Sequence, residues 1–310
     1  MKTRINLLGN FRLTKANDQP VRLATRAQEL LSFLVLHRHR RHSREALAAL
    51  LWEGASAAQA RKYLRHTLWQ VQAALGCSPR QRNCVLLAEP EWMGFTAHDH
   101  CWIDVVAFDD ACARVHTTSG ASLSDAQTLM LKRAVQLYDG GLLQGWYCDW
   151  CLPERERLQN MLVVAFDKLI EHAEAHRRYG EGIDYAQQAL LCDRARERTH
   201  CLLMRLQYLA GDRTAALRQY ERCVTALKQE LAVAPARSTV ALYEEIRADR
   251  FTAVGAAPAR AVAPALAPEV AALSHLHTLL ADTQARIEEG LTAVERVLTA
   301  QGPAGFDPTH

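Results

Sequence analysis

The spacing of hydrophobic positions changes several times along the chain, and each change predicts a different element. Residues 4–24 carry two short runs, "INLLGNFRL" and "PVRLA", on either side of the turn-rich Asn17-Asp18-Gln19-Pro20, which predicts short strands. From Arg26 the period lengthens to that of a helix, with Leu30, Leu31, Leu34 and Val35 on one face. Ser43 is placed to cap a second helix whose Leu47, Leu50 and Leu51 repeat at helical spacing, and Gly54 ends it. A third helix covers about 57–75. At 100° per residue, Ala60, Leu64, Leu68, Val71 and Leu75 fall within about 40° of one line. Its other side carries Gln59, Lys62, Arg65, His66 and Trp69, with Arg61 on the flank. Gly76 stops it, and "NCVLLAEPEWMGFTAH" then predicts a hairpin turning at Glu89-Pro90. Strands, three helices and a hairpin, in that order, make a winged helix, a helix-turn-helix relative with a β-hairpin wing.

From Ser122 to about Arg250 the pattern is helical throughout. "LPERERLQNMLVVAFDKLIEHAEAHRR" is one long amphipathic helix, and an internal repeat follows at an offset of 34 residues. Ile183 matches Leu217, Ala186 matches Tyr220, Ala189 matches Cys223 and Leu190 matches Val224. This is the period of a tetratricopeptide helical hairpin. The glycine expected before the second helix is Gly211 in one copy and Arg177 in the other. Residues 253–268 are Ala/Pro-rich and predict a linker. Beyond it, Leu273, Leu280, Ile287 and Val294 recur every seven residues from Glu269 to Ala300. Leu291 and Leu298 fill the later partner positions, His277 and Gln284 the earlier ones, so the predicted helix has a half-polar coiled-coil seam. The expected organisation is therefore mostly α: a winged helix at 1–105, a tetratricopeptide-like domain at 106–250 with its own core, a linker at 251–268 and a C-terminal amphipathic helix at 269–300.

Charge adds a direction. The chain of 310 residues has a net charge of +3, but residues 1–75 hold 13 Lys and Arg against 4 Asp and Glu, and the remainder holds 24 against 30. A basic head on an acidic body points that head at a polyanion. In a winged helix the exposed side of the third helix enters the major groove, which makes Arg61, Lys62, Arg65 and His66 the candidate contacts with double-stranded DNA. Trp69 on that polar side suits an interface better than water. The stretch "LHRHRRHSR" falls in the turn between the first two helices, with Arg38, Arg40, Arg41 and Arg44 as candidate backbone-phosphate contacts. A solvated loop, or charge complementing the first helix's C-terminus, is the plainer reading. A metal nest of His37, His39 and His42 is disfavoured, because the run holds no carboxylate or thiol and its arginines repel a cation.

Other constellations carry less. Cys148-x-x-Cys151 in "YCDWC" has no second ligand pair nearby and no α/β context for a redox motif, so structural packing is the expectation over redox or metal sensing. His98, Asp99, His100 and Cys101 cluster where a polar turn is expected. No GxSxG, HExxH or glycine-rich phosphate loop occurs, so neither an enzyme nor a cofactor is expected, nor a resident metal. No apolar run approaches a membrane span and the first residues lack a signal-peptide core. Nine irregularly spaced cysteines suit a reducing cytoplasm.

Three stretches carry a resemblance: "HSREALAALLW…ARKYLRHTLWQVQAALG", "CWIDVVAFDDA", and "YDGGLLQGWYCDWCLPERERL…RERTHCLLMRLQYLAGDRTAALRQYERCVTALKQELAVAPARSTVALYEEIRA". Together they resemble regulators of the Streptomyces antibiotic regulatory protein type, in which a winged helix precedes a bacterial transcriptional activation domain. The resemblance covers about 1–250. It implies an activator that binds repeated DNA sites and contacts RNA polymerase. Many relatives add a nucleotide-binding domain, and with no GxxxxGK[ST] here a short, ATPase-free member is implied. The competing reading is a helical-repeat scaffold for partners or ligands whose basic head is incidental; the charge split favours the DNA-binding reading. The C-terminal heptads, outside the resemblance, suggest a homodimer.

Overall fold

The computed structural model describes residues 3–15, 17–76, 85–96 and 101–251. In chain order the first elements are β1 (Thr3–Asn6), β2 (Arg12–Thr14), α1 (Thr25–Leu36), β3 (His42–Ser43), α2 (Arg44–Leu51), α3 (Ala57–Leu75), β4 (Leu86–Ala88), β5 (Trp92–Phe95) and β6 (Cys101–Ile103). Seven helices follow: α4 (Asp104–Arg114), α5 (Asp125–Gln136), α6 (Cys151–Ala175), α7 (Tyr179–Cys192), α8 (Glu197–Leu209), α9 (Arg213–Glu230) and α10 (Arg237–Arg247). The chain is mostly helical with short strands near its start, as the periodicities predict. The second predicted strand, "PVRLA", does not form; Pro20 makes a single bridge to Thr14 and α1 begins soon after. Proline has no amide to give a ladder, which limits pairing there.

Two three-stranded sheets frame the winged helix. In one, β1 pairs antiparallel with β2 and parallel with β6. In the other, β5 lies between β3 and β4, forming the wing that the Glu89-Pro90 turn predicts. Met93 and Phe95 of β5 point into the core, while Trp92 stays exposed. The apolar face of α3 is buried at Ala60, Leu64, Leu68 and Val71. Ser56 caps that helix by accepting from the Gln59 amide, and Gly76 closes it in the left-handed region. Ser43 precedes α2, but its side chain makes no capping bond.

The junction with the helical part centres on Asp104, the first residue of α4. Its buried carboxylate accepts from the amides of Leu7 (2.9 and 2.8 Å), Leu8 (2.9 Å) and Val105 (2.7 Å). Burial pushes this carboxyl above its ordinary value, and the amide donors pull it back. On the other edge of the same segment, Leu143 N donates to Leu7 O (2.8 Å) and Gln144 N to Gly9 O (2.7 Å). Gly9 sits at φ +94°, and a Cβ there would lie 2.4 Å from the Asp139 carbonyl, so only glycine fits. Arg155 of α6 then ties down that outer loop by donating to the carbonyls of Leu142, Leu143 and Trp146.

One apolar core therefore runs through both parts, including Ile5, Leu34, Leu64, Phe108, Leu131 and Leu162. A division drawn at 105/106 falls inside that core, and Met1–Ala253 form one compact unit. The later helices add small separate clusters, such as Ile170, Ala186, Leu202, Leu203 and Leu206. The linker beyond Phe251, the heptads at 269–300 and His98, Asp99 and His100 lie outside the described residues.

The repeat is visible in the turns. Before α9, Gly211 has φ +88°, with Asp212 N donating to Gln207 O (2.9 Å). Before α7, Arg177 adopts φ +56°, with Arg178 N donating to Ala173 O (2.8 Å). The same helix-closing bond forms in both copies, the first without the residue that favours it. Arg177 thus bears a left-handed strain of about 1–2 kcal/mol.

Two predictions follow from the backbone. Asp104→Asn turns an amide donor toward the Leu7 and Leu8 amides and should cost about 1–3 kcal/mol in urea unfolding; an unchanged midpoint would mean the carboxylate does not hold the strap. Arg177→Gly should stabilise the fold by about 0.5–1 kcal/mol in the same assay, the relieved strain exceeding the entropy that glycine adds to the unfolded chain.

Candidate nucleic-acid interface

The helix α3 is 19 residues long, about 28 Å at 1.5 Å per residue, and one side of it is open to solvent. Arg61, Lys62, Arg65 and His66 all lie on that exposed side. Trp69 continues the stripe and is 64% exposed, with its ring stacked near His66 at 6.1 Å and 24°. It is therefore not part of an interface within the described chain; it extends the basic face with an aromatic surface.

A groove of about 750 Å³ lies between the start of α3 and the wing. Arg44, Arg61, Arg65, Glu45, Glu91 and Trp92 are among the side chains that line it. Trp92 is 45% exposed and was not singled out by the sequence reading. The signal was present: in "WMGF" Met93 and Phe95 alternate with it, so in a half-buried strand it had to face outward.

The basic side chains are not equivalent. Arg61 Nη1 bonds Glu45 Oε1 at 3.0 Å. Arg41 Nη1 reaches both oxygens of Glu89 (2.9 and 3.1 Å), and Arg44 Nη1 donates to the Glu89 carbonyl (3.1 Å). The Glu89 contacts hold Arg41 and Arg44 against the wing turn, while the Glu45 contact ties Arg61 of α3 to α2. Arg40, Lys62 and Arg65 have no carboxylate partner among the described residues.

Arg38 departs from the expectation. Its side chain is only 8% exposed, and Nη2 bonds Asp109 Oδ2 of α4 at 2.9 Å. Arg157 of α6 bonds the other oxygen of Asp109 at 3.0 Å and also pairs with Glu154. A guanidinium held in that buried network is not presented to a phosphate, so Arg38 leaves the set of candidate contacts and acts as a strut between the turn and the helical part. Its neighbours turn inward with it. The Phe33 ring meets His37 (4.4 Å), His42 (5.0 Å) and Trp150 (5.4 Å) edge-on. Burial pushes both His37 and His42 below the ordinary imidazole value. The run that looked uniformly basic divides into an inner half that packs and an outer half, His39 to Arg41, that faces solvent.

Among the described residues no group of three His, Cys, Asp or Glu side chains is arranged to hold a metal. Cys151 is buried at the start of α6 with Cys148 beside it, and burial pushes its thiol up to about 12. At neutral pH that suppresses the thiolate that redox or metal chemistry needs. No helix among the described residues is long and apolar enough to cross a membrane.

The fold and this surface define a winged helix joined through a shared core to a helical-repeat domain. Residues 103–247 match the family model of the bacterial transcriptional activator domain. Among solved structures the chain is similar to Mycobacterium tuberculosis EmbR in complex with a low affinity phosphopeptide, with a TM-score of 0.68 and 24% identity. That likeness covers 81% of this chain and 66% of the EmbR chain, so part of EmbR has no counterpart in it. No curated protein sequence matches the chain.

The network at Asp109 generates a contrast. Asp109→Ala leaves Arg38 buried without its carboxylate and should lower stability by about 3–5 kcal/mol. Arg40→Ala, on the exposed half of the same run, should change it by less than about 0.5 kcal/mol. Thermal and urea unfolding of the two variants checks this; equal effects would remove Arg38 as a strut.

Proposed function

We propose that this chain is a sequence-specific, DNA-binding transcription regulator that acts in the cytoplasm as an activator and not as an enzyme. The observation that carries the reading is the exposed face of α3, where Lys62 and Arg65 stand without carboxylate partners beside a groove walled by the wing. A face of this kind suits a major groove about 12 Å wide, with Arg65 forked onto a guanine edge and Lys62 on phosphate. Arg61 is held by Glu45 at rest and would exchange that partner for a base or phosphate on binding. His66 and Trp69 extend the contact, and Arg40, Arg41 and Arg44 flank it on the backbone. The activator domain at 103–247 supports a regulatory role in which the helical part meets RNA polymerase or a neighbouring protomer. Binding to repeated sites as a homodimer, through the heptads of 269–300, belongs to the same proposal.

Selection of bound duplexes from random DNA by the purified protein, at stated salt, identifies the operator. On that operator Arg65→Ala should lose about 1–3 kcal/mol and relax the preference at one base position. Lys62→Ala should weaken all sequences alike and flatten the salt slope by about one unit. Unchanged binding in both folded variants would remove α3 from the interface and with it this reading.

A further inference from the structure

The helical part carries a second basic cleft, far along the sequence from the winged helix. It has a volume of about 470 Å³ and is lined by the turn after α7 and one face of α9, including Arg194, Arg218, Arg222, Thr225, Glu221 and Glu230. The three guanidiniums are exposed, and among the described residues none has an ion-pair partner, the two glutamates of the cleft included. Their neighbours behave otherwise: Arg196 and Arg198 pair with Asp167, Arg198 also with Glu171, and Arg205 with Glu174. Unpaired arginines gathered in one concavity contrast with the acidic balance of the chain beyond residue 75.

The cleft is built from beneath. Ala195 packs with Cys223 and Leu227, which fixes the turn against α9. His200 is buried, and its Nε2 meets the Arg194 carbonyl at 2.8 Å. Its Nδ1 meets Nε2 of the buried Gln219 at 2.7 Å, and Gln219 Oε1 accepts from Arg222 Nη1 at 3.2 Å. One assignment satisfies all three contacts: neutral His200 donates from Nε2 and accepts at Nδ1, and the Gln219 amide donates to His200 and accepts from Arg222. Burial holds His200 below its ordinary value, in keeping with that neutral form. A relay of two buried polar side chains thus orients both the Arg194 backbone and the Arg222 guanidinium. Preorganisation of this kind lowers the ordering cost that weakens most surface charge contacts. Leu191, three residues before Arg194, and Leu231, next to Glu230, are exposed at 80% and 58%.

We propose that this cleft is a docking site for a carboxylate-rich segment of a partner protein, its acidic side chains meeting Arg194, Arg218 and Arg222 and its apolar ones meeting the flanking leucines. The charge of the cleft selects the acidic segment, and the fork of each guanidinium suits a carboxylate. The site is separate from α3 and the wing, so it leaves the DNA-binding face free.

The test uses the full chain and a short fluorescent peptide of alternating aspartate, glutamate and leucine, read by anisotropy. Because an acidic peptide also meets the winged helix, each measurement is repeated in an Arg61→Glu, Arg65→Glu background. There the peptide should still bind, with an affinity that falls as salt rises. Adding Arg218→Glu and Arg222→Glu should weaken it by about tenfold or more. Gln219→Leu, with its melting temperature checked, should weaken it less, through loss of the Arg222 orientation alone. Peptide binding that vanishes in the Arg61→Glu, Arg65→Glu background, or that survives reversal of Arg218 and Arg222, overturns the proposal. So does a loss of duplex DNA affinity on that reversal, which would make the cleft a nucleic-acid surface. Operator binding by the Arg61→Glu, Arg65→Glu protein bears on the winged helix alone, so failure of the DNA reading is distinguishable from failure of this one.

Discussion

A buried carboxylate has to be satisfied, and Asp104 is satisfied by the main chain of the first strand's continuation. That requirement locates much else. Holding Leu7 and Leu8 against the start of α4 draws β6 into register beside β1. It also presents the far edge of the same segment to the 141–144 loop, which Arg155 clamps in turn. The winged helix and the helical part therefore share a core instead of meeting across a linker.

The same economy explains the histidine- and arginine-rich turn. A turn between two packed helices must be held in place, yet this one also carries charge that has to stay in water. The chain meets both needs within one short run. His37 and His42 pack on Phe33 and Arg38 pairs with Asp109, and the positive charge facing outward comes from the residues between and after them. Burial lowers both imidazole values, which favours their neutral forms in the inner half of the run.

Much of this was legible without coordinates. The exposed stripe of α3 follows from periodicity alone, because five apolar residues on one line leave the others no choice, and the wing and the 34-residue repeat are equally local signals. The partners of Arg38, the inward turn of its neighbours and the division of the core were not legible. The first and last depend on contacts between residues far apart in sequence, for which a local pattern carries no term, while His37 and His42 meet Phe33 close by in the chain but across a turn that periodicity does not describe. Trp92 is an intermediate case, readable from strand alternation but overlooked beside the more conspicuous charges. The left-handed Arg177 shows the converse: the sequence departs from the repeat's expected glycine while the backbone keeps the turn, because the packing of α6 against α7 outweighs a strain of about 1–2 kcal/mol.

The distance between Leu7 and Asp104 along the chain, 97 residues, also bears on synthesis. A ribosome adding about 5–20 residues per second needs roughly 5–20 s to reach Asp104 after Leu7 has been made. Through that interval β1 has only β2 for company, and a two-stranded hairpin alone is marginal in water. The contacts among α1, α2 and α3 are local in sequence, whereas the first strand takes its second neighbour, β6, only when residues 101–103 have been made. Until Asp104 is made, the Leu7 and Leu8 amides lack the carboxylate that they donate to in the finished fold.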